Sequence, residues 1–185
     1  MIKDTFGLIF TSDNDMRLNE LTTMRTVASV PYGGRYRVID FALSNLVNSG
    51  INNVAILTQR NYSSLLDHIG TGSAWDLDRK NGGLRFLPPY STTENGYYRG
   101  TVDAFRAARD FIQRTSDRYC LYTTANCVYN SDYNAMMQQH LDTGADITLM
   151  YMREEDAGDV FTPHAEALHF DLDEGGRIID MEIGS

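Results

Sequence analysis

The amino-acid sequence predicts an α/β protein with a mostly parallel sheet and helices on both faces. Three observations carry that prediction. Short apolar runs alternate with runs of helical period through most of the chain. The runs "FGLIF" (6–10) and "NVAILT" (53–58) are continuous rather than alternating, as in parallel strands buried on both sides. Gly50, Gly70 and Gly144 follow helical runs, where a residue free to take positive φ ends a helix.

The elements follow in order. Phe6–Phe10 is the first strand. Ile39–Asn48 places Phe41, Leu43, Leu46 and Val47 at helical spacing and stops at Gly50. Asn53–Thr58 is a buried strand, Tyr62–His68 a short helix, and Leu84–Leu87 a strand closed by Pro88 and Pro89. Thr101 is placed to cap a helix running to Arg114, with Asp103 in its first turn and arginines further along, which suits the helix dipole. Tyr119–Thr124 reads as another buried strand, Ser131–Leu141 as a helix and Asp146–Met152 as a strand. Leu168–Leu172 and Arg177–Ile183 flank Asp173-Glu174-Gly175-Gly176, a hairpin signal. The polar stretches Gly70–Gly83 and Pro88–Gly100 are the long loops, and in open α/β sheets such loops at strand ends carry the site.

Bulk composition narrows the function. At 185 residues and 42% hydrophobic content, residues 1–185 suit one domain with a sizeable core. Net charge is −9, from 16 basic and 25 acidic residues, without a Lys/Arg block of five. Nucleic acid and anionic membrane are therefore poor partners. The sequence has no secretory signal and no 18-residue apolar run, so a soluble, cytoplasmic protein is expected. Cys120 and Cys127 give neither a disulfide framework nor metal-ligand spacing, and the Asn61-Tyr62-Ser63 sequon is meaningless without secretion.

One set of motifs points to a family. Val30-Pro31-Tyr32-Gly33-Gly34-Arg35-Tyr36-Arg37-Val38-Ile39-Asp40-Phe41 is followed by Leu43-Ser44-Asn45, Asn48-Ser49-Gly50-Ile51 and Leu57-Thr58-Gln59. Asp67-His68-Ile69-Gly70, Trp75-Asp76-Leu77-Asp78-Arg79, Leu87-Pro88-Pro89-Tyr90 and Tyr98-Arg99-Gly100-Thr101-Val102-Asp103-Ala104 complete the series. In order and spacing, over about residues 6–180, the chain resembles glucose-1-phosphate adenylyltransferase, also called ADP-glucose pyrophosphorylase. The resemblance implies a Rossmann-like nucleotidyltransferase sheet. It also implies a reaction in which ATP and glucose 1-phosphate give ADP-glucose and pyrophosphate for glycogen synthesis. Family members form tetramers and carry a C-terminal left-handed β-helix, which this sequence lacks.

The departures from the family pattern lie at substrate and metal positions. Catalytic members read G-G-x-G-T-R-L after the first strand; matched through Arg17-Leu18, the glycines become Ser12, Asp13 and Asp15. Glycines let backbone N–H groups approach a triphosphate, whereas each aspartate brings a like charge that costs about 1 to 4 kcal/mol at about 4 Å. Read without the family, this stretch is a polar turn, and a calcium loop fails at Met16 and Arg17. Val27 stands where the family pattern R-A-K-P-A-V-P has a phosphate-neutralising lysine. Asn126 stands where S-G-D-H-I-Y has the metal-binding aspartate; read alone, it is a turn residue. Matched through Arg177-Ile178, the family's E-K-P falls on Ile183, Gly184 and Ser185.

The pattern looks most like the family's non-catalytic glycogen-biosynthesis subunit, which pairs with a catalytic one. It implies no catalytic residue and no cofactor in this chain, although catalytic members use Mg²⁺. The other readings are an active enzyme with a divergent site and a stand-alone sugar-phosphate or nucleotide-binding module. Gln59, Gly100 and Thr101 match positions around the nucleotide base, as relics or as a regulatory nucleotide site. Arg17, Arg25, Arg35 and Arg37 form a local cationic group in an acidic chain. Arg35 matches a basic position linked to sugar-phosphate effectors, and arginine forks suit phosphate, so Arg35 and Arg37 are the effector-phosphate candidates; the alternative is solvated surface arginines. His68 and His140 read as structural. Trp75, Tyr90, Tyr97 and Tyr98 read as pocket lining or as packing.

Overall fold

The computed structural model describes residues 2–11, 16–59, 61–89, 98, 100–153, 156 and 168–183, with the backbone alone at 16 and 17. The backbone divides into two compact units, Met1–Asp146 and Ile147–Ser185.

In the first unit, β1 (Thr5–Phe10), β4 (Asn53–Leu57), β5 (Gly83–Leu87) and β6 (Tyr119–Thr124) form a parallel sheet in the order β5-β4-β1-β6. A small antiparallel pair, β2 (Pro31–Tyr32) and β3 (Tyr36–Arg37), turns through Gly33 and Gly34, both at positive φ. The helices are α1 (Val38–Asn48), α2 (Ser63–Ile69), α3 (Thr101–Ala107), α4 (Arg109–Arg114) and α5 (Asn134–Thr143).

The continuous apolar strands serve two cores by alternation. Ile9, Val54 and Ile56 join α1 and α2 residues such as Leu43, Leu46 and Leu65 on one face. Phe6, Leu8, Ala55 and Leu57 join Ala104, Ala108 and Phe111 on the other. Gly7 fits the first face because α1 lies close: a Cβ there would stand 2.9 Å from Leu46 Cδ1. Helices on both faces of a parallel sheet are the expected architecture.

Four sequence expectations need correction. The run from Thr101 to Arg114 is two helices meeting at Ala108, and Gly100, not Thr101, occupies the cap position. Thr101 instead hydrogen-bonds Tyr122 on β6. The helix expected from Ser131 starts at Asn134, because residues before it are drawn into tertiary bonds. Ser131 N–H donates to Asn45 Oδ1 (3.2 Å) and Tyr133 N–H to Ser49 Oγ (2.9 Å). β6 is half-exposed rather than buried, since its outer edge has no partner strand among the described residues. Among the described residues, Asp146–Met152 pairs with no strand.

The second unit contains β7 (Leu168–Leu172) and β8 (Ile178–Ile183), an antiparallel hairpin as expected. Asp173 Oδ1 accepts the N–H groups of Gly175 (2.9 Å) and Arg177 (2.8 Å), which fixes the turn.

Candidate functional site

Strand order locates the site. The chain lays β4 and then β5 on one side of β1 and places β6 on the other. The crevice beyond the carboxyl ends of β1 and β6 is therefore the switch point at which open α/β sheets bind ligands. There the ladder continues past the strands. Thr11 N–H donates to Leu57 O (3.0 Å), Thr58 N–H to Leu87 O (3.1 Å) and Ala125 N–H to Phe10 O (3.1 Å). Thr11 Oγ1 adds a second bond to Leu57 O at 3.0 Å. These bonds hold the first residue of each loop rigidly at the crevice.

Asn126 follows at the end of β6, exposed, with Oδ1 accepting from Thr124 Oγ1 at 2.6 Å. The loop behind it is anchored by α1. Asn45, buried in the middle of that helix, donates through Nδ2 to Tyr129 O (3.0 Å) while its Oδ1 holds Ser131. The Tyr129 hydroxyl bridges Thr123 Oγ1 (2.8 Å) and the Tyr133 hydroxyl (2.7 Å). Burial, followed by Tyr129, pushes the Tyr133 hydroxyl well above its ordinary pKa.

The residues matched to the base position lie just after β4 and at the start of α3. Gln59 is buried after β4, and its Oε1 accepts the N–H of Tyr98 at 3.1 Å. That bond fixes Tyr98, two residues before Gly100, at the end of β4. Thr101 ties the start of α3 to Tyr122, whose pKa burial raises and the Thr101 bond lowers. Sequence reasoning missed Thr58, whose Oγ1 is buried next to Gln59 in sequence without a hydrogen-bond partner among the described residues. A threonine directly after an apolar strand was the available signal.

The two arginine candidates separate. Arg35 is exposed at the β2–β3 turn, without a hydrogen bond among the described residues. Arg37 Nη1 donates to Ser64 O (2.8 Å), Ser64 Oγ (2.6 Å) and Ser29 O (3.3 Å), so it fastens α2 to the 3-10 turn Val27–Ser29. Asp40 receives the Arg37 N–H on Oδ2 (3.0 Å) and His68 Nε2 on Oδ1 (2.6 Å). His68 thus sits in a helix-capping network, and Trp75 Nε1 donates to Ser44 Oγ at 3.1 Å on the same helix. Val27 is buried in the 3-10 turn.

The aspartates of the first loop, the Arg17 side chain, Tyr90, Tyr97, Gly184 and Ser185 lie outside the described residues. At the end of β6, Asn126 offers one neutral amide oxygen that already accepts a hydroxyl proton, which suits Mg²⁺ far less than a carboxylate. No group of three metal-ligating side chains exists among the described residues. Among the described residues, the donor set at this strand end does not fit the family's metal.

The nucleotidyl transferase family pattern matches residues 7–159. This chain belongs to that family. It is 41% identical over 150 residues to glucose-1-phosphate adenylyltransferase of Halalkalibacterium halodurans, covering 80% of this chain and 39% of that protein. The same enzyme of Thermotoga neapolitana is 40% identical over 180 residues, covering 95% of this chain and 41% of that protein. The Clostridium perfringens enzyme matches at 40% over 148 residues. The chain thus spans about two fifths of the length of these relatives. Among the described residues, no helix is long and apolar enough to cross a membrane.

Proposed function

We propose that this domain belongs to a regulatory, non-catalytic subunit that works in the cytoplasm beside a catalytic glucose-1-phosphate adenylyltransferase. The observation that carries this reading is Asn126. It stands at the end of β6 beside the switch point, where catalytic members resemble one another in carrying aspartate, and its oxygen accepts from Thr124. Nucleotidyl transfer needs a divalent cation to hold and neutralise the phosphates, and a neutral amide supplies no charge for that task. Val27, in place of the family's lysine, supports the same reading because an apolar side chain stabilises no developing phosphate charge.

The scaffold around these positions is intact, which suits a subunit selected for folding and association. In this reading Gln59, Gly100 and Thr101 form a relic or regulatory nucleotide pocket. Arg35 contacts the phosphate of a sugar-phosphate or nucleotide effector, and Arg37 holds the hairpin that presents it. A regulatory subunit alters its neighbour only by contacting the neighbour's states differently.

The test is co-expression of the full-length protein with a catalytic adenylyltransferase, followed by size exclusion and kinetics with each partner alone and together. Co-elution with a changed effector response, about 5- to 150-fold in affinity, is expected. Separate elution with unchanged kinetics overturns the regulatory reading in favour of a stand-alone binding module. Turnover by this protein alone favours an active enzyme with a divergent site.

A further inference from the structure

We propose that a second cleft, at the amino-terminal edge of the parallel sheet, binds the phosphate group of a small organic phosphate. This goes beyond the regulatory reading and uses none of its residues. The cleft has a volume of about 440 Å³ and is lined by Asn53 at the start of β4, Lys80 and Gly82 before β5, Arg85 on β5, and Arg114 with Thr115 before β6. It lies at the end of the sheet opposite the switch point, because these residues begin strands rather than follow them.

Charge is the first argument. The protein carries −9 overall, yet Lys80, Arg85 and Arg114 share this one cleft, and none has an ion-pair partner among the described residues. Three like charges around one space repel one another, and a dianion among them relieves that repulsion. Lysine and arginine are the side chains that bind phosphate through charge-assisted hydrogen bonds.

Pre-organisation is the second argument. The Arg85 guanidinium carbon lies over the Phe111 ring, 5.9 Å from its centroid, and that ring also lines the cleft. A guanidinium stacked in this way is held in place while its N–H groups stay available. Asn53 Nδ2 donates to Thr115 Oγ1 (3.0 Å) and to Asp117 Oδ2 (2.6 Å), and Thr115 Oγ1 donates to the same carboxylate oxygen (2.9 Å). Asp117 is an opposing charge in this network. It does not line the cleft, and one of its oxygens already accepts these two bonds. The volume falls in the range of small-molecule sites and accommodates a phosphate with a short polyol body.

The experiment titrates the full chain with inorganic phosphate and with glycerol 3-phosphate, read by backbone amide NMR shifts. Shifts centred on Asn81–Gly83 and Thr115–Ser116 are expected, with glycerol 3-phosphate the tighter of the two. Lys80→Gln and Arg114→Gln should each weaken binding about tenfold. Lys80→Arg should retain it, and Arg177→Gln, in the β7–β8 hairpin, should leave it unchanged. All three side chains are exposed, so the variants are expected to fold, and their amide spectra report this directly. The proposal is overturned if no shifts appear up to about 50 mM, a range covering even the weak millimolar affinities. It is also overturned if the shifts are confined to the β2–β3 turn or the carboxyl ends of the strands, or if the two glutamine variants bind like the parent. None of these outcomes depends on a catalytic partner, so the two proposals fail separately.

Discussion

At the residue scale, the candidate site is held by polar side chains that the core has to satisfy. Asn45 stands 3% exposed on a helix otherwise packed with leucines, and its amide clamps the loop after β6 from both sides. Asp40 plays the equivalent part at the start of α1, satisfying Arg37 N–H and His68 together. Tyr133 shows the energetic consequence. Its hydroxyl is buried against Tyr129, so ionisation is disfavoured in the folded state relative to the ordinary value of 10.0. A folded pKa raised above the unfolded one contributes stability that is complete below pH 10. That contribution is lost as pH rises through the folded value, because the unfolded chain releases the proton first. Urea melts between pH 8 and about 11.5 should therefore show stability declining above about pH 10. Tyr133→Phe should decline less steeply over the same window. Equal slopes for the two proteins would show that Tyr133 does not govern the alkaline limb.

At the element scale, the loop entering β5 is the most tightly constrained turn of the sheet. Gly83 has φ +79° and donates its N–H to Asn52 O at 2.7 Å. A Cβ there would stand 2.5 Å from Leu77 O, so both conformation and space exclude a side chain. Gly83→Ala should cost about 3 kcal/mol or more. Gly144→Ala, at φ +60° in the left-handed region but facing open space, should cost about 1 kcal/mol. Chemical denaturation of the two variants measures the difference, and equal losses would contradict the steric account. Elements of this kind mark the limit of what the sequence discloses. Continuous apolar runs announced β1 and β4, and glycines announced the ends of α1 and α2, because burial and backbone freedom act locally. The start of α5 was not legible, since Asn45 and Ser49 hold the preceding residues from 80-odd positions away. The role of Thr101 likewise depends on Tyr122 of β6. At the site, Gln59, Gly100 and Asn126 came from motif matching. Thr58, Asn45 and the cationic cleft emerged only when the strands brought distant residues together.

At the scale of the whole molecule, the question is whether the missing charges can be put back one at a time. Metal-assisted transfer requires a carboxylate for the cation, a cation for the phosphates and a loop that admits a triphosphate. On the proposed reading, Asn126 stands in the first role and buried Val27 in the second, while Ser12, Asp13 and Asp15 replace the glycines of the third. If these roles are coupled, restoring one leaves the others failing, and the energies do not add. We therefore expect Mg²⁺–ATP to bind the parent protein with a dissociation constant weaker than about 1 mM, equivalent to less than about 4 kcal/mol. Asn126→Asp alone should recover some Mg²⁺-dependent binding but no measurable ADP-glucose synthesis, because the loop aspartates still repel the polyphosphate by about 1 to 4 kcal/mol each. The combined variant Asn126→Asp, Val27→Lys with glycine at 12, 13 and 15 should bind Mg²⁺–ATP at least about tenfold more tightly than Asn126→Asp, a gain of about 1.4 kcal/mol. Isothermal calorimetry measures both proteins, and a melt of the combined variant checks that Val27→Lys is tolerated at a buried position. Turnover near 1 s⁻¹ by the parent or by Asn126→Asp alone would refute the account, since that is an ordinary enzymatic rate. It would mean that groups outside this domain supply the charge that these positions lack.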